Sequence, residues 1–118
     1  MAFGVHLKTV TIGSGTSVSD LAEIEGLRPI GVIIGSGWTT GALYFSGTFD
    51  AVAEFNLASE SGSLYSIATS TVDTFFPLRR SIFEGLHGVR IKSGSPTIEV
   101  NQDADRMLTL VLLAAGVS

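Results

Sequence analysis

Glycine punctuates this chain at intervals too short for ordinary helices. There are fourteen glycines, including those at positions 13, 15, 26, 31, 35, 37, 41, 47, 62, 85, 88, 94 and 116. The runs between them are rich in Val, Ile, Leu, Thr, Tyr and Phe. Glycine weakens a helix interior by about 1 kcal/mol relative to alanine. Short β-branched and aromatic runs bounded by glycine instead read as strands joined by tight turns. No window shows a sustained 3.6-residue apolar period with helix caps.

Alternation and apolar runs predict strands over Val5–Ile12, Ser17–Ile24, Pro29–Ile34, Ala42–Phe49, Glu54–Ala58, Ser63–Thr69, Val89–Lys92 and Arg106–Ala114, with Ile98–Val100 as a strand end. Val5–Ile12 is partly apolar on both faces. Pro29–Ile34 is nearly all apolar, as expected of a strand buried on both sides. Asp20 to Glu25 also suits a turn of helix, and Leu78 to Leu86 reads as a loop with room for a single helical turn. The 118 residues suggest one domain, 1–118. The expected architecture is all-β, an antiparallel β-sandwich of about eight strands.

The stretch GVIIGSGWTTGALYFSG, residues 31–47, is the densest glycine cluster. A phosphate site would need a helix after the glycines, its N-terminus facing the anion. The phosphate-loop motif also needs a Lys and a hydroxyl residue after the last glycine. Here Gly41 leads into Ala42-Leu43 and an alternating aromatic run, so the glycines read as a turn between strands. Gly13-Ser14-Gly15 reads the same way.

No catalytic set emerges. His6 and His87 are the only histidines, there are no cysteines, and nothing in the spacing gathers carboxylates into a zinc site. The absence of thiols fits a reducing compartment and removes a disulfide framework. Asn101-Gln102-Asp103-Ala104-Asp105-Arg106 resembles a calcium loop but lacks the central glycine and distal glutamate of an EF-hand. A loop that bonds its own backbone explains it equally well. No Gly-x-Ser-x-Gly elbow occurs, and no pair stands out among the eleven acids. The expectation is a protein that is not an enzyme and uses no cofactor or metal.

Charge then limits the partners. Net charge is −4 with seven scattered Lys and Arg, which disfavours nucleic acid. The most apolar run, Met107 to Val117, is far shorter than the roughly 20 residues of a membrane-spanning helix. The first residues carry no secretory signal pattern. Only 15% of residues are charged, against about 25% in a typical soluble domain. A surface so poorly ionised is expected to be partly covered by other chains, in a homo-oligomer whose ends are held by assembly contacts.

Five residues are candidates for an interface or a ligand contact: Trp38, Phe75, Phe76, Arg79 and Arg80. Trp38 follows Gly37, so it either faces solvent as an anchor for a sugar or protein or caps the end of the core. Phe75 and Phe76 are adjacent in an extended, loop-like stretch, so they point to opposite sides and one is free for an intersubunit contact. Arg79-Arg80 is the only basic pair.

Gly26-Leu27-Arg28-Pro29-Ile30-Gly31-Val32, Trp38, Leu43-Tyr44-Phe45-Ser46-Gly47, the run from Phe83 to Gly94 and, above all, NQDADRMLTLVL resemble a family of small tailed-bacteriophage proteins encoded among head genes. The similarity runs from about Gly15 to Leu113. This chain departs from that family by continuing through Ala114 to Ser118 after the last strand. The resemblance implies a virion protein, made in the host cytoplasm. Within that family the implied role is a capsid decoration, or cement, protein on the capsid surface: a small β-rich module, commonly a homotrimer, bound to the major capsid protein. The order of apolar strand, Trp turn and LYFSGTFD with Phe55 and Leu57 is also similar to galactose-binding-like jelly rolls. That implies a jelly-roll-like topology and, as an alternative role, a carbohydrate- or receptor-binding module.

Overall fold

A computed structural model describes residues 4–24, 26–39, 41–59, 61–69 and 72–114. Nine strands follow one another: β1 (Val5–Ile12), β2 (Ala22–Glu23), β3 (Leu27–Ile34), β4 (Gly41–Thr48), β5 (Phe55–Asn56), β6 (Ser66–Thr69), β7 (Thr74–Pro77), β8 (Gly88–Ser93) and β9 (Arg106–Ala114). One turn of 3-10 helix, Arg80–Phe83, lies between β7 and β8. The expected contacts at the chain ends concern residues 1–3 and 115–118, which lie outside the described residues.

The strands form two antiparallel sheets, β1-β9-β3-β7 and β2-β8-β4-β5, with β6 also paired to β4. The pairing is nested. The first strand pairs with the last, β2 with β8, β3 with β7, and β4 with β5 and β6. A long hairpin wound up in this way is a jelly roll.

Alternation fills the space between the sheets. β9 turns Leu108, Leu110 and Leu112 inward and β3 turns Val32 and Ile34 inward, to meet Leu43, Phe45, Val89 and Ile91 from the other sheet; all are fully or almost fully buried. Phe45 packs edge-on to Phe83, with ring centroids 5.3 Å apart at 87°. Tyr65 closes a three-ring cluster at 5.9 Å from Phe45 and 6.0 Å from Phe83. Such ring pairs contribute roughly 0.5–1.5 kcal/mol beyond the area they bury.

Ile98–Val100 contributes only an isolated bridge from Glu99 to Gly94, and two further segments differ from the sequence-based expectation. Ser17–Ile24 is not one strand, because it crosses between the sheets. Ser19 bridges Ile12 on one side while Val18 bridges Lys92 on the other, and the Ser19 hydroxyl accepts from Ile91 N–H at 2.9 Å. Only Ala22–Glu23 then pairs as a ladder. Conversely, residues 74–77 form a strand where a loop-like stretch was expected. Pro77 is tolerated there because β7 is an edge strand, where a missing N–H costs no ladder bond.

Candidate interaction face

An antiparallel sheet normally turns apolar residues to the core and polar ones to water. The β2-β8-β4-β5 sheet follows this pattern in residue type, although the polar residues of its β4 strand are themselves covered. Its outer surface carries Tyr44, Ser46 and Thr48 opposite Lys92, Arg90 and Gly88. Arg90 Nε donates to both Glu54 oxygens, at 3.1 and 3.0 Å, and the Ser46 hydroxyl donates to Glu54 at 3.1 Å. Partial burial opposes ionisation of Glu54, but the Arg90 and Ser46 hydrogen bonds outweigh it and hold its carboxyl below the usual range. Lys92 Nζ sits 5.7 Å from the Tyr44 ring centroid.

The outer surface of the β1-β9-β3-β7 sheet breaks the rule. Its register aligns Leu7, Val111, Gly31 and Pro77 in one row across the four strands, and Thr9, Thr109, Ile33 and Phe75 in the next. Val5 with Leu113 extends the surface at one end and Met107 at the other. Val5, Leu7, Ile33, Phe75 and Met107 are all exposed, Leu7 to 67% and Met107 to 66%. The only formal charge among these rows is Arg28, opposite Leu113, and it leans towards Glu84 at 3.6 Å.

Phe75, on the edge strand β7, lays its ring over Gly31 of the neighbouring β3. A side chain at Gly31 would collide with its ring, so glycine there lets the ring rest directly on the sheet. Phe76, its neighbour, turns the other way and packs against the core. Alternation at this pair therefore places one ring inside and one outside, as the extended geometry requires.

The other candidate residues do not join this surface. Trp38 is 5% exposed, belongs to the core cluster and donates its Nε1–H to Thr69 Oγ1 at 3.0 Å. It caps the end of the sandwich, and the solvent-facing reading is corrected: a buried ring is no platform for a sugar. The Tyr44 ring is buried as well, at 4% exposed. Arg79 lies beyond β7, where its N–H donates to Tyr65 Oη at 3.0 Å and its side chain lines a cleft of about 470 Å³ with Ser59, Ser61 and Tyr65. Arg80 opens the 3-10 turn, and its side chain lies outside the described residues.

Sequence reasoning passed over Leu7, Ile33 and Met107. The signal was present as two-sided apolarity in β1, β3 and β9. Pro29–Ile34 was expected to be covered on both sides, yet Ile33 is exposed. The strand is central in its sheet but is covered on one face only within this chain.

Asp103 and Asp105, the calcium-loop candidates, turn to protein partners. Asp103 pairs with Arg106 at 2.5 Å, and Asp105 accepts from Ser14 N–H at 2.7 Å. Among the described residues no three His, Asp or Glu side chains group as metal ligands would.

The loop after β4 carries a second apolar projection, with Phe49, Val52 and Phe55 exposed. Asp50 shapes it: Oδ1 accepts from Val52 N–H at 2.9 Å, Ala53 N–H at 3.0 Å and the Thr48 hydroxyl at 3.2 Å. The Val52 and Ala53 N–H groups hold the Asp50 carboxyl below its ordinary range. A carboxyl whose folded pKa is depressed stabilises the fold above its unfolded pKa, and that stabilisation is lost as pH falls through the folded value. The Asp50 side-chain resonance is expected to titrate with a midpoint below the ordinary value of about 3.9. Asp50→Ala should lower stability at neutral pH and narrow its gap to the parent protein as the solution is acidified below that value. Urea titrations across that range check it.

Fold and surface together define a jelly-roll domain with one polar and one apolar outer face. No protein-family model, curated protein or solved structure matches the chain.

Proposed function

We propose that this protein is a structural assembly module that docks through the outer face of its β1-β9-β3-β7 sheet. The assembly we propose is a tailed-phage head, where it would act as a decoration protein bridging major capsid subunits. The observation that carries docking is the alignment of Val5, Leu7, Ile33, Phe75 and Met107 on one exposed sheet face, opposite a sheet whose outer face is polar. The family resemblance supplies the phage head.

The face spans about 15 Å across the strands and 20 Å along them, from a strand spacing of about 4.8 Å and a rise of about 3.4 Å per residue. Its footprint is on the order of 300 Å², below the roughly 800 Å² that each partner buries in a standard interface. Single-copy docking would be weak, and a repeating shell compensates through many simultaneous contacts.

Emptied heads of the phage whose genome carries this sequence supply the test. The purified protein is expected to co-sediment with them, and Ile33→Asp, which buries a charge in the contact, to stay in the supernatant while keeping its circular dichroism. Parent protein that never pellets with those heads, or an Ile33→Asp variant that pellets equally well, overturns the reading.

A further inference from the structure

β1 is an edge strand, and part of its edge is open. Thr11 N–H donates to Asp20 Oδ1 at 2.8 Å, and Asp20 N–H donates to the Thr11 carbonyl at 3.3 Å. Thr11 therefore turns both backbone groups away from β9. Groups in an antiparallel ladder alternate, so those of Val5, Leu7 and Thr9 turn the same way. Two groups on each of three residues make six, and among the described residues none has a partner. Unpaired edges of this kind are templates for another strand.

We infer that a second copy of this chain occupies that edge, its β1 antiparallel to the first about a two-fold axis at Leu7. In this register Leu7 lies opposite Leu7 of the second copy and Val5 opposite Thr9, so all six open groups on each strand find partners. Among two-fold registers that match outward-facing residues, only this one uses all three on both strands. A register one step towards Thr9 places Lys8 opposite Lys8, and like charges directly opposite are destabilising. In the chosen register Lys8 faces His6.

The ends of the open stretch fit the same geometry. Asp20 closes the edge at Thr11. Gly4, with φ of 80°, departs from extended geometry opposite Val10, so the paired stretch stops there, short of Asp20. The product is a continuous eight-stranded sheet, four strands from each copy. The Leu7 residues of the two copies meet on its outer face, flanked on each side by Val5 beside Thr9. The joined footprint is roughly twice that of one copy and approaches the size of a standard interface. This inference goes beyond head docking and stands without it.

The chain has no cysteine, so introduced thiols report the register directly. Leu7→Cys is expected to cross-link between copies under mild oxidation. Thr9→Cys is expected not to, because two such residues would lie about 14 Å apart at about 3.4 Å per residue, beyond the roughly 7 Å Cα limit of a disulfide. Sedimentation velocity of the full chain should show a dimer, and Leu7→Lys should weaken it by roughly 100-fold or more while keeping the circular dichroism of the folded parent. Hydrogen exchange should protect the Val5, Leu7 and Thr9 amides in the parent protein and release them in Leu7→Lys. A parent chain that is monomeric at about 100 µM, a dimer indifferent to Leu7→Lys, or cross-linking by Thr9→Cys as ready as by Leu7→Cys overturns the inference. A monomer that still pellets with phage heads would refute edge pairing alone, and a dimer that ignores heads would refute docking alone.

Discussion

Phe45→Ala is expected to cost about 3–5 kcal/mol of folding stability, out of the roughly 5–15 kcal/mol that a domain of this kind possesses. The ring is completely buried, and it holds more than its own strand. Through Phe83 it anchors the 3-10 turn, and through Tyr65 it anchors the segment that leads into β6. The Tyr65 hydroxyl in turn accepts from Arg79 N–H. Truncation therefore leaves a cavity and also loosens the 3-10 turn and the lead into β6, whose rings pack on Phe45. Urea unfolding should show a lower midpoint. Hydrogen exchange should show the largest loss of protection around residues 64–68 and 79–83, and a variant with near-parent stability would mean that the three rings do not pack as described.

Gly94→Val is expected to be comparably damaging for a different reason. Gly94 has φ of 97°, a region that L side chains rarely adopt, and strain there costs about 1–3 kcal/mol. Any Cβ would also press into the Ile98 carbonyl and Val100 N–H. These are backbone atoms that cannot rotate away. The connection from β8 to β9, folded back at the bridge between Gly94 and Glu99, would have to open, endangering Val100 N–H to Ser93 O at 3.1 Å and Gly94 N–H to Ala42 O at 2.7 Å, each worth about 1 kcal/mol net. The sum is about 3–5 kcal/mol. Gly35→Ala is the matched control: nothing lies within 4 Å of its added Cβ and its φ is not positive, so its melting temperature should stay close to that of the parent. Equal effects from the two substitutions would refute the account.

Much of the fold was legible because alternation and glycine spacing are local signals. The bounds of β1 and β9 follow from the residues alone, and β4 differs by one position at each end. The glycine cluster around Gly35 and Gly37 is the β3–β4 turn. What was not legible depended on packing across distance. Ser17–Ile24 has strand-like residues but is divided between two sheets by the contacts of Val18 and Ser19. Residues 74–77 pair only because β3 offers Ile33 and Ile34 as neighbours, and nothing local announces that. Trp38 illustrates a third limit: its turn position suited either exposure or burial, and Thr69, thirty-one residues away, decides between them. The apolar face was half visible. Its strands declare two-sided apolarity, but only the register shows that the surplus residues share one surface.

The place of β9 governs when this fold can exist. The ninth strand is an inner strand of its sheet, between β1 and β3. Until the ribosome has released residues 106–114, β1 and β3 have no common neighbour to zip them together. Early sections of the nascent polypeptide must wait with their greasy sides open, and the sandwich closes only once β9 has left the ribosome.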